Sequence, residues 1–143
     1  PQCSIVTNQW EGLNHLGGTV AVTNSIFWGN GDDLVGTTTN VTYCDISNGD
    51  FLGTNGCLSV DPVFVDEIYY HLESRGGAYL GGYFSGGAWG STLTVSPLID
   101  AGDPTSPRDL EPAPNGQRAN IGAYGNSEVA SKAIETGALL LLY

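Results

Sequence analysis

Apolar and polar residues alternate in short runs, first in Thr19-Val20-Ala21-Val22-Thr23 and again in Asn40-Val41-Thr42-Tyr43. Period two is the pattern of a half-buried strand, whose successive side chains point to opposite faces. Between these runs a second pattern recurs: Ser4-Ile5-Val6-Thr7-Asn8, Ser25-Ile26-Phe27-Trp28-Gly29-Asn30 and Asp45-Ile46-Ser47-Asn48-Gly49-Asp50 stand at offsets of 21 and 20 residues. Each copy sets a small or acidic residue before isoleucine and then reaches Asn or Asp, whose short side chain bonds its own backbone and closes a turn. A further strand is predicted in Leu58-Ser59-Val60-Asp61-Pro62-Val63-Phe64-Val65. A return to the same chemistry about every twenty residues describes a solenoid, in which each coil buries its apolar stripe against the next. An antiparallel sandwich also accommodates many short strands, but it has no reason to repeat Ser-Ile and Asn at a fixed offset. The repeat predicts that Ile5, Ile26 and Ile46 stack in one internal column.

Six motifs follow one another in order: Thr23-Asn24-Ser25-Ile26-Phe27-Trp28-Gly29-Asn30, Val41-Thr42-Tyr43-Cys44-Asp45-Ile46, Val60-Asp61-Pro62-Val63-Phe64-Val65-Asp66, Tyr70-His71-Leu72, Ser96-Pro97-Leu98-Ile99-Asp100-Ala101-Gly102-Asp103-Pro104 and Arg118-Ala119-Asn120-Ile121-Gly122-Ala123-Tyr124-Gly125. In that order and spacing the chain resembles the terminal region of secreted bacterial right-handed parallel β-helix proteins, a group overlapping the polymorphic outer-membrane-protein repeat and the pectate-lyase-like superfamily. The resemblance implies an all-β fold, a short right-handed parallel β-helix of about three to four coils over residues 1–66. It further implies an irregular C-terminal cap over 67–125, folded over the last coil, and a tail over 126–143. An extracellular or cell-surface location follows from the same resemblance. Activity does not, because the superfamily hosts lyases, hydrolases, adhesins and passive surface proteins.

The chain departs from complete members of that group at its beginning, where they carry many coils and an N-terminal cap. The first coil is therefore expected to be covered by upstream coils of a longer chain or by self-association, because a bare edge is a pairing template. In the tail, Ser131 to Glu135 is predicted as a short helix. Leu139-Leu140-Leu141-Leu142-Tyr143 is predicted either as an intermolecular strand or as a segment packed on its own domain.

Composition narrows the function classes. Fifteen acidic residues stand against four basic ones, Arg75, Arg108, Arg118 and Lys132, for a formal charge of -11. Such a surface repels nucleic acid and anionic lipid. The apolar run from Gly137 to Tyr143 is too short to span a membrane as a helix. Residues 1–66 hold no Lys or Arg, which excludes a lyase base there unless His15 serves.

Several side chains remain as candidates. Asp32, Asp33, Asp45 and Asp50 would bind Ca²⁺ if they gathered on one side of adjacent coils; otherwise they are acidic turn residues in water. Asp100, Asp103 and Arg118 read as a structural clasp, with the guanidinium pairing bidentately to carboxylate. Cys44 and Cys57 bracket a short polar loop. They form either a disulfide worth roughly 3 kcal/mol or small buried thiols. Asn40-Val41-Thr42 is an N-glycan acceptor sequon at Asn40. The segment 76–90, rich in glycine and aromatics, reads as a long loop packed by its own rings. Its Tyr79, Tyr83, Phe84 and Trp89, together with Trp28, are also the candidate glycan-stacking residues. The reading as a whole is a non-catalytic extracellular β-helix module with a structural, surface or filament-forming role. The alternatives are a C-terminal fragment of a polysaccharide lyase or glycoside hydrolase, and a carbohydrate-binding module.

Overall fold

A computed structural model describes residues 2–36 and 40–134. Their fold is all-β, with no helix among them. Seven short strands come first: β1 (Ser4–Val6), β2 (Glu11–His15), β3 (Ala21–Thr23), β4 (Ile26–Trp28), β5 (Asp32–Gly36), β6 (Asn40–Thr42) and β7 (Asp45–Ile46). They fall into three small parallel sheets, ordered β1-β4-β7, β2-β5 and β3-β6. The chain visits the first, second and third sheet in turn and then begins again. Strand pairs follow that cycle, with Leu13 opposite Leu34 and Val22 opposite Val41.

The alternating runs at Thr19 and Asn40 do form the strands β3 and β6. The pair β2-β5 was not legible, because Glu11-Gly12-Leu13-Asn14-His15 and Asp32-Asp33-Leu34-Val35-Gly36 carry little apolar alternation. Their pairing rests on backbone fit. Gly36 has φ +94, and a Cβ there would drive into the carbonyl oxygen of His15, the residue it faces.

Register corrects the expected isoleucine column. Ser4 pairs with Ile26 and Ile26 with Asp45, whereas Ile5 pairs with Phe27 and Phe27 with Ile46. The second repeat is therefore shifted by one residue, which in a strand turns every side chain to the opposite face. Phe27, not Ile26, stands between Ile5 and Ile46. It lies in a first core with Leu34, Val41, Cys44, Ile46 and Cys57, against which Ile5, Leu13 and Val22 pack. Ile26 faces the other way, into a second core with Leu72, Leu98 and Ile121. The first sheet is thus buried on both faces.

That second core is built by the segment after Asp66, which lies along the flank of the first sheet rather than only over its last strand. Gln2 Nε2 donates to the carbonyl of Asn120 at 2.7 Å, the Gly122 N–H donates to the Asn24 carbonyl at 2.8 Å, and the Ala123 N–H donates to Ser4 Oγ at 3.0 Å. Ser4 belongs to the first strand and Asn24 precedes the fourth. The predicted strand over 58–65 is not formed. Leu58 makes one parallel bridge to Asp45 and Phe64 one antiparallel bridge to Leu72, because Pro62 offers no N–H to a ladder and Val63 adopts φ +56.

Segment 76–90 is a hairpin rather than a loop: β8 (Ala78–Leu80) pairs antiparallel with β9 (Ala88–Gly90). Tyr79 and Trp89 face each other across it, with ring centroids 5.7 Å apart. Ser131–Ile134, part of the predicted helix, has no helical structure. Glu135 and the predicted strand Leu139–Tyr143 lie outside the described residues.

Candidate functional site

Burial and hydrogen bonding decide what each candidate side chain can do. Asp33 is 1 % exposed and fully engaged: Oδ1 accepts from Asn30 Nδ2 at 2.9 Å, and Oδ2 from Ser47 Oγ at 2.6 Å and the Asn48 N–H at 2.9 Å. Asp32 Oδ1 accepts from Asn48 Nδ2. Asp45 lies elsewhere, beside Ile26 on the flank-covered face, with Oδ1 accepting the Val60 N–H. Burial pushes its carboxyl up to about 6, against the pull of that N–H, with the charges of Asp61 and Asp33 adding to the rise. Asp32, Asp33, Asp45 and Asp50 therefore do not gather as a Ca²⁺ cage. Among the described residues no group of three or more His, Cys, Asp or Glu side chains is arranged to hold a metal ion.

The clasp at Arg118 exists in a different form. Its Nε donates to the Gly102 carbonyl, its Nη2 to the Ala101 carbonyl at 3.2 Å, and its guanidinium lies 5.5 Å from the centre of the Tyr43 ring. Asp103 Oδ1 is taken by the N–H and hydroxyl of Thr105, both at 2.8 Å, and those bonds hold it below the usual carboxylate range. Asp100 is pushed up by burial, and its Oδ1 is buried with no hydrogen-bond partner. Guanidinium-to-carbonyl bonds and stacking thus replace the bidentate pairing. The more thorough clasp is Asn24, 1 % exposed at φ 51, whose Oδ1 accepts the Asp103 N–H and whose Nδ2 donates to Ser106. Sequence reasoning treated Asn24 only as part of a motif. A short amide next to a strand that tolerates positive φ was the available signal.

Cys44 and Cys57 are both buried free thiols in the first core. Burial pushes Cys44 up to about 12 and raises Cys57 as well, which keeps both as poor nucleophiles at neutral pH. His15, the one candidate lyase base in residues 1–66, ends β2 and is 6 % exposed. Asn40 is exposed at the start of β6, and the sequon's Thr42 hydroxyl donates to Thr23 Oγ1 at 3.0 Å.

The aromatic candidates divide. Tyr79 packs edge-on against Trp89, over which Lys132 Nζ lies 4.4 Å from the ring centre, while Tyr83 meets Tyr69 and Phe84 meets Tyr124. Buried His71 holds the hairpin tip, its Nε2 within 2.8 and 2.9 Å of the Gly82 and Tyr83 carbonyls and its ring stacked 3.6 Å from Tyr124. Trp28 is on another surface, in a groove of about 430 Å³ shared with Phe64 and Tyr70.

Among the described residues, β1, β2 and β3, at one edge of the repeat region, each have a strand neighbour on one side only. The first core opens beside them as an apolar cavity of about 190 Å³ lined by Ile5, Leu13, Val22 and Phe27. Trp10 and Leu16, in the same first pass of the chain, are 73 % and 92 % exposed. Residues 1–31 contain one charged side chain, Glu11, so the edge is almost neutral in a chain of charge -11. No family model, curated protein or solved structure matches the chain.

Proposed function

We propose that the chain is a module of a right-handed parallel β-helix in an extracellular or cell-surface protein, and that its role is structural: it associates with a second copy through the edge of β1, β2 and β3. The observation that carries this reading is the coincidence, on one edge, of an open apolar core and three strands whose outer sides have no strand partner among the described residues. Unpaired N–H and C=O groups on a strand edge are a template for pairing with another chain. A two-fold arrangement satisfies both edges at once, whereas a head-to-tail contact that does not close extends into a filament. Near-neutrality supports the choice of a second copy, because two such edges approach without the repulsion that the rest of the acidic surface imposes. The reading assigns no lyase base to the repeat region, which supplies no Lys or Arg and whose His15 is buried.

Sedimentation velocity over a wide concentration range tests the reading. Wild-type protein is expected to sediment as dimers or longer species, and Ile5→Glu, which sets a charge in the open core, is expected to sediment as a folded monomer. Wild-type protein that stays monomeric at every concentration would overturn the reading.

A further inference from the structure

The groove that holds Trp28 lies on the other face of the first sheet from the open core, and it shares Val6 of the edge strand β1 and the adjoining Thr7. Its apolar floor is Trp28, Phe64 and Tyr70, with Phe64 and Tyr70 in edge-to-face contact at 5.1 Å. Asp61, Asp66 and Glu67 line the same groove, and none of its ten lining residues is cationic. The volume, about 430 Å³, falls in the range of small-ligand pockets, roughly 300 to 1,000 Å³.

The three carboxylates are not fully spent on the fold. Asp61 Oδ1 accepts the Val63 N–H at 2.9 Å, and Asp66 Oδ1 caps the N–H groups of Tyr69, Ile68 and Tyr70. The Oδ2 atoms of both and the carboxylate of exposed Glu67 are left for a ligand. Burial alone would raise Asp66, but the N–H groups of Tyr69, Ile68 and Tyr70 outweigh it and hold the carboxyl below its ordinary value. Asp66 is therefore ionised at neutral pH.

An aromatic floor and an uncompensated anionic rim select by charge. The face of an indole or phenol ring attracts a cation, and the low-dielectric wall strengthens the pull of nearby carboxylates. Anions are repelled, and a neutral ligand gains nothing from the charge. We infer that this groove is a binding site for an organic monocation, a guanidinium or alkylammonium group such as an arginine or lysine side chain of a basic partner. Charge complementarity is the ground for that occupant: the chain has almost no cations of its own to fill the groove, whereas a basic segment brings both the charge and an alkyl stem to lie on Trp28.

The test is a titration of the intact protein followed by NMR at the Trp28 indole and the Phe64 and Tyr70 ring protons. N-acetylarginine amide is the probe, with N-acetylcitrulline amide as its neutral isostere and CaCl₂ and cellobiose as competing classes. Arginine amide is expected to shift those three rings in a saturable way that weakens as salt is added, and citrulline amide is expected to leave them in place. Asp61→Asn with Glu67→Gln, both exposed and near-isosteric, should weaken binding about tenfold without changing the melting temperature. Trp28→Leu should weaken it about threefold. Equal shifts from arginine and citrulline amides, tighter binding of Ca²⁺ or of the neutral sugar, or shifts confined to other residues would each overturn the assignment.

Discussion

Glu111 is a carboxylate held in an interior that does not suit it. It is 6 % exposed, with both oxygens accepting the Asn120 N–H at 3.2 and 3.0 Å. Burial raises it to about 7 against the N–H groups that pull it down, and the nearby charge of Asp100 adds to the rise. Asp45, raised to about 6 mainly by burial, behaves alike. For both groups the folded state keeps its proton to higher pH than the unfolded state does. Stability is therefore greatest below the unfolded values and is lost as pH rises from about 4 to about 7, by on the order of 2 to 3 kcal/mol for Glu111. Urea unfolding at about pH 5 and about pH 8 should show wild-type protein weaker at the higher pH, and Glu111→Gln should remove much of that difference. Parallel pH profiles for wild type and variant would clear Glu111 of the effect.

At the scale of elements, the decisive feature is one short strand with two duties. Phe27 fills the first core between Ile5 and Ile46, and Ile26, its neighbour, anchors the C-terminal segment through Leu98 and Ile121. Truncating either should cost about 2 to 5 kcal/mol. The two losses should differ in where they are felt. Ile26→Ala is expected to speed hydrogen exchange at Gly102 and Ile121, whose N–H groups bond within the C-terminal segment, and at Gly122, whose N–H bonds from that segment to the Asn24 carbonyl. Asp45 and Ser47, bonded to the carbonyls of Ser25 and Phe27, should keep their protection. Phe27→Ala should lower protection at all five. Such local opening is expected where one packed unit can loosen without the other. Equal losses in both variants would mean that the two cores unfold as one.

For the whole molecule, the distribution of charge matters more than its sum. Fourteen of the fifteen acidic residues follow Gly31, leaving the first pass of the chain nearly neutral. If two copies meet through that edge, the cost of bringing them together is long-range repulsion between the acidic bodies. Screening shortens such repulsion to about 8 Å at physiological salt and to about 3 Å near 1 M. Association measured by sedimentation equilibrium should therefore strengthen as NaCl is raised. The arginine-amide signal in the Trp28 groove should weaken over the same range. A dimer that dissociates in salt would place the contact on charged residues and away from the edge of β1, β2 and β3.

Local sequence determined more about this protein than its length suggests. Alternation at Thr19 and Asn40 and the recurring Ser-Ile and Asp-Ile steps were enough for short strands in an all-β fold, because strand periodicity is a property of consecutive side chains. The acidic, lysine-poor surface was equally plain. What only tertiary structure decided was the face each residue takes and the company it keeps. The one-residue shift that puts Phe27 between Ile5 and Ile46 depends on which backbone lies alongside, and nothing within Ser25-Ile26-Phe27 distinguishes the two registers. Pairing of β2 with β5 depended on glycine at position 36 meeting the His15 carbonyl, a contact between residues far apart in the chain. Asp33 and Asp45, two of the aspartates proposed for Ca²⁺, were near in sequence yet engaged by different partners, Asn30, Ser47 and Asn48 for the first and Val60 for the second. Trp28 met Phe64, Tyr70 and three carboxylates only because the segment after Val60 turns back along the first sheet. Sequence neighbours specify backbone shape, and non-neighbours specify burial and charge environment, so the strands were readable one by one and the sites only after the chain had closed on itself.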